Sequence, residues 1–98
     1  MLVELDDKLV LNDGNIALLF YIPDHCAGCK KVINVLENKD TKNWTIYKVN
    51  SESEKFADLI KQYEVTTAPT IIMFKDRIQV DKIVGLKNFI DKKDIFSI

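Results

Sequence analysis

Seven consecutive apolar residues, Ile16 to Ile22 (IALLFYI), run between the turn-forming segment NDGN and Pro23. The run is far shorter than the ~20 residues a membrane-crossing helix needs. It also lacks the apolar–polar alternation of a strand with one wet face. It therefore predicts a strand buried on both faces, which requires a packed layer on each side. That segment alone restricts the chain to a central sheet covered above and below.

The rest of the chain supplies the cover. Directly after the strand, Cys29, Val32, Ile33 and Leu36 recur at helical spacing. WTIYKVN (44–50) is rich in β-branched and aromatic residues and predicts a second strand. SESEKFADLIKQY opens with Ser51 and Glu54 at capping-box spacing, and Phe56, Leu59, Ile60 and Tyr63 form its apolar stripe. Thr70 to Phe74 predicts another strand, KDR a turn, and Ile78 to Val84 the hairpin partner, ended by Gly85. Leu86, Phe89 and Ile90 mark a final amphipathic helix. Ahead of the apolar run, a short strand near Leu2 to Glu4 and a helical turn near Asp6 to Leu11 are expected. Strand–helix–strand units need parallel pairing through right-handed crossovers, whereas the late hairpin adds antiparallel strands. The predicted fold is an α/β three-layer sandwich with a mixed central β-sheet flanked by helices. No repeat or linker divides it, and 98 residues suit a single domain over 1–98.

Charge narrows the partners. A net charge of −1 gives no electrostatic reason to bind nucleic acid or an anionic membrane. Arg77 is the only arginine, so bidentate base reading is poorly supplied. The opening MLVELDDKLVLNDG has no basic segment followed by a long apolar one, so no signal peptide is expected and a reducing, cytoplasmic setting is the default.

In that setting the two cysteines stand out. Cys26 and Cys29 are three apart, at the junction of the buried strand and the first helix. Two cysteines placed at random in a chain of 98 residues fall three apart in roughly 2% of arrangements. A bridge between them would close almost no loop and so would staple the fold poorly. A helix N-terminus, however, exposes free N–H groups and a partial positive charge that stabilise a thiolate at Cys26. Cys29, one turn further on, is placed to attack the mixed disulfide that Cys26 forms, which is two-electron dithiol–disulfide exchange. A complete zinc site needs four ligands, and two cysteines with His25 fall short of it. Covalent haem attachment needs a histidine where Lys30 stands. Neither metal nor cofactor is therefore expected.

CAGCK after an apolar strand, TTAPT before the next buried strand and VGL after the hairpin together resemble the thioredoxin family over nearly the whole chain. The resemblance implies a thioredoxin-like fold and a thiol–disulfide oxidoreductase that reduces protein disulfides. It implies that Pro69 follows a cis peptide bond and sits opposite the dithiol, where Ala68 hydrogen-bonds an extended substrate through its backbone. Read without the resemblance, Pro69 is an ordinary trans proline starting a strand. Lys48 matches a strand lysine the family keeps beside the dithiol, and is equally readable as a solvated lysine. The resemblance further implies re-reduction by a thioredoxin-reductase-type flavoenzyme, and a monomer is expected. The rivals are a glutaredoxin-like reductase fed by glutathione and a non-catalytic binding subunit of the same fold.

The departures from the family lie close to the dithiol. Phe20 stands six positions before Cys26, where thioredoxins usually carry a buried aspartate. His25 replaces the usual tryptophan, Ala27 and Gly28 replace glycine-proline, and the front of the chain is shorter. A protonated His25 would stabilise the Cys26 thiolate and make the disulfide more oxidising, whereas a solvent-facing histidine would be a bystander.

Overall fold

The computed structural model describes residues 2–9, 11–92 and 95–97. Its elements are β1 (Leu2–Glu4), β2 (Asn15–Tyr21), α1 (Ala27–Glu37), β3 (Trp44–Asn50), a 3-10 turn (Glu54–Phe56), α2 (Ala57–Gln62), β4 (Thr70–Lys75), β5 (Ile78–Val84), α3 (Gly85–Asp91) and a last 3-10 turn (Ile95–Ser97). The strands form one five-stranded sheet in the order β1-β3-β2-β4-β5. β3 runs parallel to both β1 and β2, whereas β4 runs antiparallel to β2 and to β5. The sheet is mixed, as the strand–helix–strand order followed by a hairpin requires.

β2 lies at the centre, and every residue from Ile16 to Phe20 is buried. The pleat divides them between two cores. Ala17 and Leu19 pack with Val32 and Leu36 of α1, Phe89 of α3, Trp44, Ile46, Ile71 and Met73. Ile16, Leu18 and Phe20 pack on the other face with Val49, Phe56, Ile72 and Phe74, under Leu59, Ile60 and Tyr63 of α2. The α1 and α3 side is closed by the last 3-10 turn: the Phe96 ring lies tilted at 5.8 Å from the Trp44 ring, and the Trp44 indole N–H donates to the Phe96 carbonyl.

Three local expectations fail, each for a visible reason. Residues 5–9 and 11 are coil, not a helical turn; the Leu5 amide donates to the Lys48 carbonyl and so prolongs β1 pairing, and Val10 lies outside the described residues. The Ser51 capping box does not form. The Ser51 amide donates to the Tyr21 carbonyl, its hydroxyl is buried without a partner among the described residues, and Asn50 builds the turn instead by accepting the Glu52 amide on Oδ1. The helical run starts after Ser53. Ile90 is 62% exposed, because α3 is a short helix that buries Phe89 and leaves the next residue outside. Gly85 does end the hairpin as expected, and it also begins α3 at a φ of +85°.

Candidate functional site

The end of β2 delivers the dithiol. After Tyr21 the chain crosses residues 22–25, where His25 takes a left-handed φ of 60° with its side chain exposed, and enters α1. Cys26 is the N-cap, with extended backbone (φ −121°, ψ 90°). Its carbonyl accepts the Lys30 amide, the first helical hydrogen bond, and its Sγ accepts the Cys29 amide at 3.1 Å. A sulfur thus occupies the position that a serine or aspartate oxygen commonly takes, satisfying one of the free N–H groups of the first turn.

The two sulfurs are joined as a disulfide with the Cα atoms 5.3 Å apart. The pair is unequal in access: Cys29 is 1% exposed, whereas Cys26 is half-buried. The peptide bond between Ala68 and Pro69 is cis. The Ala68 carbonyl oxygen lies 4.0 Å from Cys26 Sγ. Gly28 faces the same segment: a Cβ built there would meet Pro69 Cδ at 3.4 Å and Leu86 Cβ at 3.5 Å. The Gly85 amide donates to the Pro69 carbonyl at 2.8 Å. Three segments distant in sequence, 26–29, 68–69 and 84–86, are therefore brought together at one open surface. Ala68 is half-buried and Val84 is 38% exposed.

The other residues singled out from the sequence sit as follows. Lys48 lies on β3 with its Nζ 3.7 Å from Glu4 Oε1 and 5.7 Å from the centre of the Tyr21 ring. Tyr21 Oη donates to the Glu4 carboxylate, 2.8 Å from each oxygen. Burial, the hydrogen bond to Glu4 and the Glu4 charge push the Tyr21 hydroxyl up to about 12. Phe20 is fully buried and belongs to the core on the α2 side. The Glu4–Tyr21–Lys48 cluster was not legible in the sequence, because it depends on β1 pairing with β3 in the register that opposes Glu4 to Lys48. Gly28 and Leu86 were missed as well; a glycine inside the dithiol motif was the one available signal for close approach.

The best-formed cavity among the described residues does not mark the site. It has a volume of about 540 Å³ and lies between the N-terminal segment and α2, lined by Leu9, Leu11, Phe56, Leu59 and Tyr63 among others, and no residue of the dithiol segment lines it. Exchange between disulfides needs an accessible sulfur more than an enclosing pocket, so the open surface at Cys26 is the better candidate. Among the described residues no cluster of three His, Cys, Asp or Glu side chains could hold a metal ion, and no helix is long and apolar enough to cross a membrane.

A dithiol–disulfide pair at a helix N-terminus, on an α/β mixed sheet and opposed by a proline segment, defines a thiol–disulfide oxidoreductase. The chain belongs to the thioredoxin family, whose model, Thioredoxin, matches residues 4–95. It is 36% identical over 78 residues to the thioredoxin of Chlamydia pneumoniae, covering 76% of this chain and 74% of that one. It is 30% identical over 91 residues to the thioredoxin of Mycoplasmoides gallisepticum, covering 91% and 85%. The solved thioredoxin of Malassezia sympodialis has the same fold, with a TM-score of 0.73 at 18% identity over 88% of this chain and 80% of that one.

Proposed function

We propose that the protein is a protein disulfide reductase in which Cys26 attacks and Cys29 resolves. The observation that carries this division is access: the sulfur at the helix N-cap is half-buried, and its partner is 1% exposed. In the reduced protein the Cys26 thiolate attacks one sulfur of a substrate disulfide and expels the other as a thiolate. The Cys29 thiolate then attacks Cys26 Sγ, which forms the Cys26–Cys29 bond and expels the second substrate thiolate. Two electrons pass from dithiol to substrate, and the expelled thiolates take up the protons the two cysteines gave up. The helix N-terminus and the Cys29 amide stabilise negative charge on Cys26 in both the attacking and the leaving role.

In this reading Ala68 and Pro69 bind the substrate backbone beside Cys26, supported by the 4.0 Å approach of the Ala68 carbonyl. His25 and Lys48 are modulators: His25 neighbours Cys26 in the chain, and Lys48 acts through its cluster with Glu4 and Tyr21. The protein works as a cytoplasmic, monomeric, single-domain electron carrier, re-reduced by a thioredoxin-reductase-type flavoenzyme.

The test is trapping. Cys29→Ser retains attack and loses resolution, so it should accumulate substrate complexes that dissolve on reduction, whereas Cys26→Ser should accumulate few. Equal trapping by the two variants overturns the division of roles. Turnover driven by glutathione and glutathione reductase, with no thioredoxin-reductase-type enzyme present, overturns the choice of donor.

A further inference from the structure

Both ends of the segment that carries Ala68 and Pro69 are tied to one strand. Downstream, the Gly85 amide donates to the Pro69 carbonyl, and Val84 pairs with Thr70. Upstream, α2 stops at Tyr63, and Glu64 adopts a left-handed φ of 52°. The Glu64 amide donates to the Lys61 carbonyl at 3.2 Å and the Val65 amide to the Ile60 carbonyl at 3.0 Å, which closes the helix end. The carbonyls of Tyr63 and Glu64 are then taken by a single side chain. Lys82 Nζ donates to them at 3.0 Å and 3.1 Å.

Lys82 lies on β5, which pairs with Thr70 and leads directly into Gly85, so the strand next to the Pro69 anchor also fixes the point where the segment leaves α2. Its ammonium is committed to this task. Asp81, its neighbour, is paired with Lys92, and among the described residues Lys82 forms no salt bridge. Between the two anchors the chain has few residues to absorb a displacement. Thr70 Oγ1 donating to the Thr67 carbonyl ties the middle down as well. A charged donor shared by two carbonyls is stronger than a neutral one, and its removal leaves both carbonyls to water.

We infer that Lys82 is a positioning residue for disulfide exchange: by holding Tyr63 and Glu64 it sets where Ala68 stands relative to Cys26. The inference rests on the proposed reading of Ala68 and Pro69 as the substrate-binding segment. It concerns substrates long enough to lie along that segment. A small disulfide, which needs only the Cys26 sulfur, depends on it less.

The experiment compares single-turnover oxidation of the pre-reduced protein by insulin and by cystamine, each over a range of concentrations, in wild type, Lys82→Met, Lys82→Arg and Ala68→Asp. Lys82→Met keeps the apolar stem and loses the donors. It should raise the insulin concentration giving half-maximal rate by roughly three- to tenfold relative to any change with cystamine. Lys82→Arg, which restores charged donors, should bring that ratio back to within about twofold of wild type. If Lys82→Met does not fold, Lys82→Gln is read in the same way. A Lys82 variant with the wild-type ratio, while Ala68→Asp discriminates against insulin, overturns the role of Lys82 alone. A wild-type ratio in Ala68→Asp overturns the substrate-binding reading beneath it.

Discussion

At Cys26 the sulfur accepts a backbone N–H and the residue is half-buried, whereas Cys29 is 1% exposed, so two identical side chains meet different solvents. Charge on the first is stabilised by the helix end; charge on the second must form in a nearly dry place. In the reduced protein, iodoacetamide at neutral pH should therefore label Cys26 well before Cys29, because the thiolate is the reacting form and must also be reached. Peptide mass spectrometry after partial alkylation reads this directly, and first labelling at Cys29 would reverse the assignment. The dithiol was legible in the sequence because its meaning depends on local order alone: a buried strand, two cysteines three apart, a helical stripe. Lys82 was not legible. As a residue of a predicted hairpin strand it looks like any solvated lysine, and only the folded chain carries its ammonium to the end of α2.

Among the elements, the central strands were legible for the same physical reason that they are central. Continuous burial on both faces leaves no polar position, and residues 16–20 have none. The ends of elements were harder. The capping-box spacing of Ser51 and Glu54 is overridden because the ladder between β2 and β3 continues past Asn50 and claims the Ser51 amide. The β4–β5 turn was expected from KDR, but not its strain. Asp76 and Arg77 both have positive φ, 48° and 73°, the geometry of a tight hairpin turn that favours glycine or asparagine. Asp76 is retained by its contacts: its Oδ1 accepts the Gly14 amide at 2.7 Å, and its own amide donates to the Gly14 carbonyl at 2.9 Å. Among the described residues Arg77 has only an ion pair with Asp13, both side chains being largely exposed. Arg77→Gly should thus relieve ~1 kcal/mol of backbone strain at little electrostatic loss, offset in part by the added freedom of the unfolded chain. The expected net gain is roughly 0.5 kcal/mol. Asp76→Ala should lose roughly 1 kcal/mol, because the exposed Gly14 amide must turn to water and an alanine is strained at a φ of 48°. Urea unfolding of the two variants measures both, and a destabilised Arg77→Gly would show that the turn is not the strained point.

Across the whole molecule, the described edge strand β1 is three residues long, prolonged by the Leu5 amide bond to Lys48, and the Glu4–Tyr21–Lys48 cluster ties its side chains to β2 and β3. That tie has a definite pH dependence. Tyr21 is pushed up to about 12, first by burial, then by its hydrogen bond to Glu4 and by the Glu4 charge. In the unfolded chain the same hydroxyl ionises near pH 10. A group whose folded value is raised binds its proton more firmly in the native state. The stability it lends is therefore complete below pH ~10 and is lost as pH rises from there through about 12. The side chain is only half-buried, so solvent screening reduces the effect to roughly 1 kcal/mol. The measurement is urea unfolding of wild type and Tyr21→Phe at pH values from 8 to 11. The two proteins differ by one hydroxyl, so the difference between them reports on Tyr21. Removing the hydroxyl deletes the bond to Glu4, so the wild type should be the more stable at pH 8. Its advantage should shrink steadily above pH 10, because Tyr21→Phe has no proton to lose in either state. A constant difference across the range would mean that Tyr21 ionises alike in the folded and unfolded chains, and that the cluster does not couple β1 to the rest of the sheet through this proton.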